Sequence, residues 1–261
     1  MLKSKAEKPK MKVLITGEQG FIGKNLCHRL KENKEFSILS FNRDDSIDTL
    51  PMKITQSDAI VHLAGVNRPE NKSDFKTINL GLTKTICELI RKEEGRKIPL
   101  ILASSSQSKL DNPYGISKYA AEVLVKELSL ETGYPVIIYQ LPSVFGRWCK
   151  PNYNSVVATF CNNIANSLPI NINDHNTQLK LVYIDDVISD FLRVLKHNNV
   201  GFSHQIVKPE YLISLGDLAG KIESFNENGN TSIFENVNTV FNSALYSTYI
   251  SYLPNNNLKK I

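Results

Sequence analysis

Tyr114 and Lys118 stand four residues apart in the run YGISK, a spacing that puts a phenol and an ammonium one turn apart on the same helical face. Just upstream, the apolar run LILA leads into Ser104, Ser105 and Ser106. These groups, in this order, suit the reduction of a ketone. Hydride arriving at a carbonyl carbon leaves an alkoxide, so a proton donor must stand beside the oxygen. A neighbouring ammonium lowers the tyrosine pKa towards working pH. A serine hydroxyl orients the same oxygen by a hydrogen bond. One residue of register at the strand end decides which serine points inward; Ser105 is the first choice and Ser106 the second. YxxxK alone is common by chance, and the plain alternative is a surface helix after a polar turn.

Such chemistry needs a hydride source, and the start of the chain offers a place to hold one. The run VLIT leads into Gly17, Glu18, Gln19, Gly20, Phe21, Ile22 and Gly23 and then into an amphipathic helix. One glycine permits a tight turn, another lets a pyrophosphate approach the backbone, and the third allows close packing of helix on strand, with the helix N-terminus facing the anion. Strand, GxxGxxG turn and helix together read as a dinucleotide loop, whereas a glycine triplet alone reads as a tight turn.

The next strand ends at Phe41, followed by Asn42 and Arg43. A carboxylate there would hold the ribose hydroxyls of NAD. Arg43 instead suits a charge-assisted pair with a 2′-phosphate, which favours NADP(H). Asp44 and Asp45 keep NAD open, and the plain reading of Arg43 is a solvated surface charge. A later strand ends in HLAG, whose Leu63, Ala64 and Gly65 let the backbone lie against the adenosine side of a cofactor. His62 by itself reads as a satisfied core histidine.

These side chains need a scaffold. Short apolar runs at Lys12 to Thr16, Phe36 to Phe41, Ala59 to Ala64, Leu100 to Ser104 and Val136 to Leu141 alternate with helical patterns, among them Ile22, Leu26, Leu30 and Ile78, Leu82, Ile86, Ile90. That alternation predicts an α/β fold, a doubly wound parallel sheet of the Rossmann type, over residues 11–200. Beyond Gly146 the chain turns irregular and rich in Asn and Pro. It then predicts a helix near Val156 to Ile164, a strand near Leu179 to Ile184 and a helix from Asp186 to His197. Segments 146–180 and 201–261 are expected to form a small substrate-binding lobe. Residues 1–10 read as a basic tail or an overextended start, and Asn255 to Asn257 as a frayed end.

Composition narrows the function classes. Of the net charge of +5 over 261 residues, the tail supplies +3 through Lys3, Lys5, Lys8 and Lys10 against Glu7, leaving +2. A basic stripe for nucleic acid is therefore not expected. Cys27, Cys87, Cys149 and Cys161 lie far apart with no CxxC pair, so neither a metal site nor a disulfide framework is expected. No apolar run reaches membrane-spanning length and no signal core follows the tail, which predicts a cytoplasmic protein.

With TGEQGFIG, HLAG, the serine run and YGISK in order, the chain resembles the extended short-chain dehydrogenase/reductase family. HLAGVNRPE, DNPYGISK, FGRWCKPNYNSVVATFC, YIDD and LYSTYISYLP are similar to the reductase domain of capsular-polysaccharide enzymes of the CapF and WbjC type. The resemblance implies NADPH-dependent reduction of the 4-keto group of a UDP-2-acetamido-2,6-dideoxy-hexulose, on a capsule or O-antigen route to UDP-N-acetyl-L-fucosamine. It implies that Pro142 contacts the nicotinamide. On the UDP-sugar side it points to Arg68, Ser106, Arg147, Asn152, Asn154 and Ser155, with Trp148 against the uracil. For the asparagines the plain alternative is helix capping. A homodimer paired through the helices containing Ile78 to Ile90 and Tyr114 to Leu130 is also implied. The similar enzymes carry a C-terminal metal-binding cupin domain that epimerises C3. This sequence stops soon after SYLP, so epimerase activity is expected to be absent from it; a truncated gene gives the same ending. Two other functions use the same fold: an NAD-dependent sugar-nucleotide 4-epimerase, and a non-catalytic NADP-binding regulator, which commonly lacks the tyrosine and lysine pair. Gln107 and Ser108 after the serines argue against dehydration.

Overall fold

The computed structural model describes residues 9–71, 73–93, 95–197, 200–227 and 239–254. Most of the basic tail and Asn255 to Asn257 lie outside them. Two compact units emerge, one made of residues up to Gln140 together with Phe191–Gln205, the other of Leu141–Asp190 and the residues from Ile206 onward.

In the first unit the strands β1 (Met11–Thr16), β2 (Phe36–Phe41), β3 (Ala59–His62), β4 (Leu100–Ser105), β5 (Val136–Leu141) and β8 (Phe202–Gln205) form one sheet in the order β2-β1-β3-β4-β5-β8. β1 runs parallel to β2 and β3, β3 to β4, and β5 to β8. Between them lie α1 (Phe21–Glu32), α2 (Leu50–Gln56), α3 (Leu82–Arg91) and α4 (Pro113–Thr132). Successive strand residues point to opposite faces. Leu14, Ile60, Leu100, Leu102, Val136 and Ile138 pack in one cluster with Leu50 and Ile54 of α2, Ile86 and Ile90 of α3, and Val125 and Leu128 of α4. The intervening Val13, Ile15, Val61, Ile101, Ile137 and Tyr139 are buried too, so both faces are covered, as a parallel sheet requires.

The strand expected to reach Ala64 stops at His62, because Leu63 and Ala64 turn to bond Thr16. The helical pattern from Ile78 is carried first by a π-helical stretch, Phe75–Gly81, and only then by α3. Phe202–Gln205, expected with the small lobe, pairs along β5 as the sixth strand of the main sheet, with Val136 opposite Phe202 and Tyr139 opposite Gln205.

The second unit has its own three-stranded sheet. β6 (Ser143–Phe145) pairs in parallel with β7 (Gln178–Tyr183), which pairs antiparallel with β9 (Tyr211–Ser214). Phe145, Leu181 and Ile213 pack with Val157, Phe160 and Cys161 of α5 (Val156–Ala165), Leu218 and Ile222 of α7 (Leu215–Glu227), and Leu245 and Tyr249 of α8 (Val240–Ile250). Ring contacts reinforce this core: Phe145 lies 5.4 Å from Tyr183 and 5.9 Å from Phe241, centroid to centroid. The helix α6 (Ile184–Leu195) begins in this unit and ends in the first.

All four cysteines are buried. Burial pushes the Cys27 and Cys87 thiols up to about 12 and raises those of Cys149 and Cys161 as well. Among the described residues, no cluster of three or more His, Cys, Asp or Glu side chains is placed to hold a metal, and no helix is long and apolar enough to cross a membrane.

Candidate active site

The loop after β1 is shaped by what glycine lacks. Gly17 has φ +74, where a side chain is strained, and a Cβ there would lie 2.9 Å from the Ala64 backbone. A Cβ on Gly23 would meet the Gly17 carbonyl oxygen at 2.4 Å. The turn is closed by Gly20 N–H donating to Gly17 O at 3.0 Å and tied to the neighbouring strand by Gly17 N–H donating to Phe41 O at 2.8 Å. Gly20 caps α1 with no side chain on the first-turn N–H groups. Those donors, with the helix dipole behind them, fit a pyrophosphate. Phe21 and Ile22, half-buried, begin the helix.

The HLAG segment is locked to the same place. Thr16 Oγ1 accepts from Ala64 N–H at 3.1 Å, and Leu63 N–H donates to Thr16 O at 3.2 Å. His62 is the satisfied core histidine: its ring nitrogens lie 2.6 Å from Thr16 Oγ1 and 2.9 Å from Thr83 Oγ1. Burial, with the Lys118 charge nearby, pushes its pKa down to about 3. A Cβ on Gly65 would stand 3.1 Å from Asn79 Oδ1 and 4.0 Å from Lys118 Nζ, so this loop runs directly past the lysine.

At the end of β2, Asn42 Oδ1 accepts from Gln19 N–H at 3.4 Å. The Asp45 carboxylate folds back, accepting from Asn42 N–H at 2.9 Å and from Lys53 Nζ at 3.0 Å. These bonds hold its pKa below the usual carboxylate range. Arg43 and Asp44 are exposed.

At the end of β4 the reactive groups converge. Tyr114 and Lys118 are on α4, whose start is set by Asn112: its side chain accepts from Gly115 N–H, and Pro113 opens the helix. A Cβ on Gly115 would lie 2.4 Å from the Gln107 and Leu110 carbonyl oxygens, so glycine lets α4 sit close against the turn after β4. Lys118 is buried and donates to Ala103 O at 2.7 Å. Burial pushes its pKa down to about 8, with the Glu122 carboxylate pulling the other way.

Burial raises the Tyr114 pKa and a hydrogen bond from Ser105 lowers it, the first effect being larger. The expected lowering by the lysine is therefore not what dominates here: desolvation does, and the phenol stays protonated at neutral pH. Ser105 Oγ also accepts from Gln107 N–H at 3.1 Å, while Ser106, the second choice, is exposed at the start of the turn Ser106–Lys109. The Phe75 ring, 6.0 Å from that of Tyr114, closes one side.

Sequence reasoning missed Asn79. From the π-helical stretch its side chain accepts from Val66 N–H at 2.7 Å and donates to Val66 O and Ser117 Oγ, each at 3.0 Å. It thereby holds the loop beyond HLAG against α4. The sequence shows only an asparagine beside Ile78 and Leu80, and its burial comes from the packing.

The expected substrate residues divide between the units. Arg68 is exposed in the first, in the loop after β3. In the second, half-buried Pro142 stands between β5 and β6, and Arg147, Asn152, Asn154 and Ser155 gather in the segment between β6 and α5. The Arg147 guanidinium lies 4.4 Å from the Trp148 ring centroid. Trp148 and Asn152 have φ +67 and +55, conformations rare for residues with a Cβ. The helix cap is supplied by Ser155, which accepts from Ala158 N–H at 3.2 Å, and not by either asparagine. Asn152 and Asn154 are exposed.

Known proteins resemble this chain in sequence and fold. A UDP-2-acetamido-2,6-beta-L-arabino-hexul-4-ose reductase of Pseudomonas aeruginosa is 46% identical over 244 residues, covering 94% of this chain and 65% of its own length. The crystal structure of the capsular polysaccharide assembling protein CapF from Staphylococcus aureus superposes with a TM-score of 0.79 at 35% identity, over 95% of this chain and 66% of that one. This chain thus spans just under two thirds of each. A UDP-glucuronic acid 4-epimerase from Bacillus cereus, solved with NAD, shares the fold with a TM-score of 0.78 at 19% identity, over 93% of this chain and 98% of that one. Residues 13–213 match the NAD dependent epimerase/dehydratase family. With the glycine loop, the HLAG clamp and the Ser105, Tyr114 and Lys118 cluster all inside that span, the chain belongs to this nicotinamide-binding family, the extended short-chain dehydrogenases/reductases.

Proposed function

We propose that this chain reduces the 4-keto group of a UDP-2-acetamido-2,6-dideoxy-hexulose with NADPH. The observation that carries the reading is the half-buried Tyr114, its phenol hydrogen-bonded by Ser105 and one turn from the Lys118 ammonium, in the same unit as a loop that fits a pyrophosphate. The identity to the Pseudomonas reductase supports the choice of sugar. For the cofactor the support is Arg43, since the nearby Asp45 carboxylate is already engaged by Lys53.

A bound reduced nicotinamide supplies the hydride. This chain's residues do the rest. Gly17, Gly20 and Gly23 with the first turn of α1 hold the pyrophosphate, Asn42 and Arg43 the adenosine ribose phosphate, and Leu63, Ala64 and Gly65 the adenosine side. Pro142 lies against the nicotinamide. Ser105 orients the ketone oxygen, and Lys118 binds the nicotinamide ribose. As C4 gains hydride, Tyr114 gives its phenolic proton to the oxygen. The ketone becomes the alcohol, and the tyrosinate recovers a proton from solvent. Arg68, Ser106, Arg147, Asn152, Asn154 and Ser155 hold the UDP-sugar. The enzyme works in the cytoplasm as a homodimer, and the exposed Ile116, Tyr119 and Leu130 of α4 suit such a contact.

The test is oxidation of NADPH, followed at 340 nm, on addition of the 4-keto UDP-sugar, with the product identified by mass and NMR. A 4-hydroxyl product supports the reading. NADPH binding without turnover of any ketone overturns it in favour of a regulator. Replacing Arg43 with Ala is expected to weaken NADPH binding about tenfold and leave NADH binding unchanged.

A further inference from the structure

Glu122 lies one turn beyond Lys118 on α4, and both side chains are withdrawn from water, at 5% and 8% exposure. A buried carboxylate is kept only where donors and a cation face it. The Ser104 hydroxyl, at the end of β4, donates to Glu122 Oε1, and Gln140 of β5 donates to Oε2 at 2.9 Å. Gln140 also donates to Ser108 Oγ at 3.2 Å, tying this cluster to the turn that follows β4. Consecutive residues of one strand thus grip both members of the pair, Ala103 through its carbonyl on Lys118 and Ser104 through its hydroxyl on Glu122.

We propose that Glu122 is a positioning residue for the reduction, its carboxylate keeping Lys118 charged and aimed beneath Tyr114. The proposal rests on the roles given to Tyr114 and Lys118 above. The titratable groups that act on Lys118 are His62 from β3 and Glu122 from its own helix, with Tyr114 one turn back on that helix; from β4 it meets the Ala103 carbonyl, and from the π-helical stretch the nearby polar group is the Asn79 amide. His62 and Tyr114 are neutral near pH 7, the first by a lowered and the second by a raised pKa. Glu122 is the acid in this set. Its removal leaves desolvation unopposed, so the ammonium is lost at a lower pH.

Glu122→Gln keeps the size and removes the charge; its amide oxygen can still accept from Gln140, while its NH2 can donate to the Ser104 hydroxyl oxygen where the carboxylate accepted. The experiment follows kcat against pH and, in parallel, the NADPH dissociation constant against pH from the fluorescence of bound NADPH. The variant is expected to match the parent within about threefold near pH 6, while its alkaline fall in both quantities begins about one pH unit lower. An alkaline limb left in place, with activity lowered equally at every pH, reduces Glu122 to packing and overturns the proposal. Should that variant not fold, Glu122→Asp and Glu122→Asn form a pair matched in size, and the proposal requires Asp to keep the parent's limb and Asn to lose it. Lys118→Met separates the two ideas. If it retains parental turnover, the assigned role of Lys118 fails; if it is inactive while the Gln limb stays in place, only the role of Glu122 fails.

Discussion

The loop after β1 and the segment between β6 and α5 are both turns that feed a helix, and they present different groups at that helix's start. In the first, the left-handed backbone falls on Gly17, and Gly20 leaves the opening N–H groups of α1 uncovered. In the second, one positive-φ position is a glycine, Gly146, but two more fall on Trp148 and Asn152, and the Ser155 hydroxyl covers the helix end. The first offers backbone to any pyrophosphate, a group common to every dinucleotide. The second holds side chains in conformations that cost free energy unless the surroundings enforce them. A ligand that varies from one enzyme to the next is recognised by side chains, and under the proposed function the contrast is that between holding a common cofactor and choosing a particular sugar.

The largest effect is expected where chemistry is separate from both turns. Tyr114→Phe should lower kcat at least about a thousandfold with NADPH and UDP-sugar binding unchanged, read by steady-state kinetics and binding titration. Next, Gly23→Ala inserts a methyl where 2.4 Å separates Cβ from the Gly17 oxygen. It should weaken NADPH binding about a hundredfold, and near-parental affinity would show that the first turn is not rigid. Trp148→Ala removes the ring under Arg147 and should raise the KM for the UDP-sugar about tenfold without changing that for NADPH. An equal rise in both would erase the distinction between the turns. The smallest effect belongs to Ser155→Ala, which should cost about 1 kcal/mol in thermal unfolding through the lost cap and change the sugar KM less than about threefold.

The glycine turn and the Ser105, Tyr114 and Lys118 set were legible because each depends on local spacing: one strand, one turn, one helical face. The strands of the main sheet were legible for the same reason, except β8, whose FSHQ has neither alternation nor an apolar run and becomes a strand only by pairing with β5. β6 is three residues long and depends on β7, far ahead in sequence. Asn79 and Glu122 were hidden because their meaning is burial. On a helical wheel each is a polar residue fit for a solvated face, and only the packing of α4 against β4, β5 and the π-helical stretch withdraws them from water. Ser155 was noticed at the right place, but whether its oxygen faces its own helix or a ligand is a matter of one rotamer that spacing does not report.

The buried, reluctantly ionised cysteines have a practical consequence. Alkylating reagents attack the thiolate, so the native chain should be nearly inert to iodoacetamide at neutral pH. Denaturation opens all four positions to the reagent. The titre of labelled sulfur then counts unfolded molecules directly, an internal gauge of foldedness that needs neither substrate nor cofactor and that every variant described above carries unaltered.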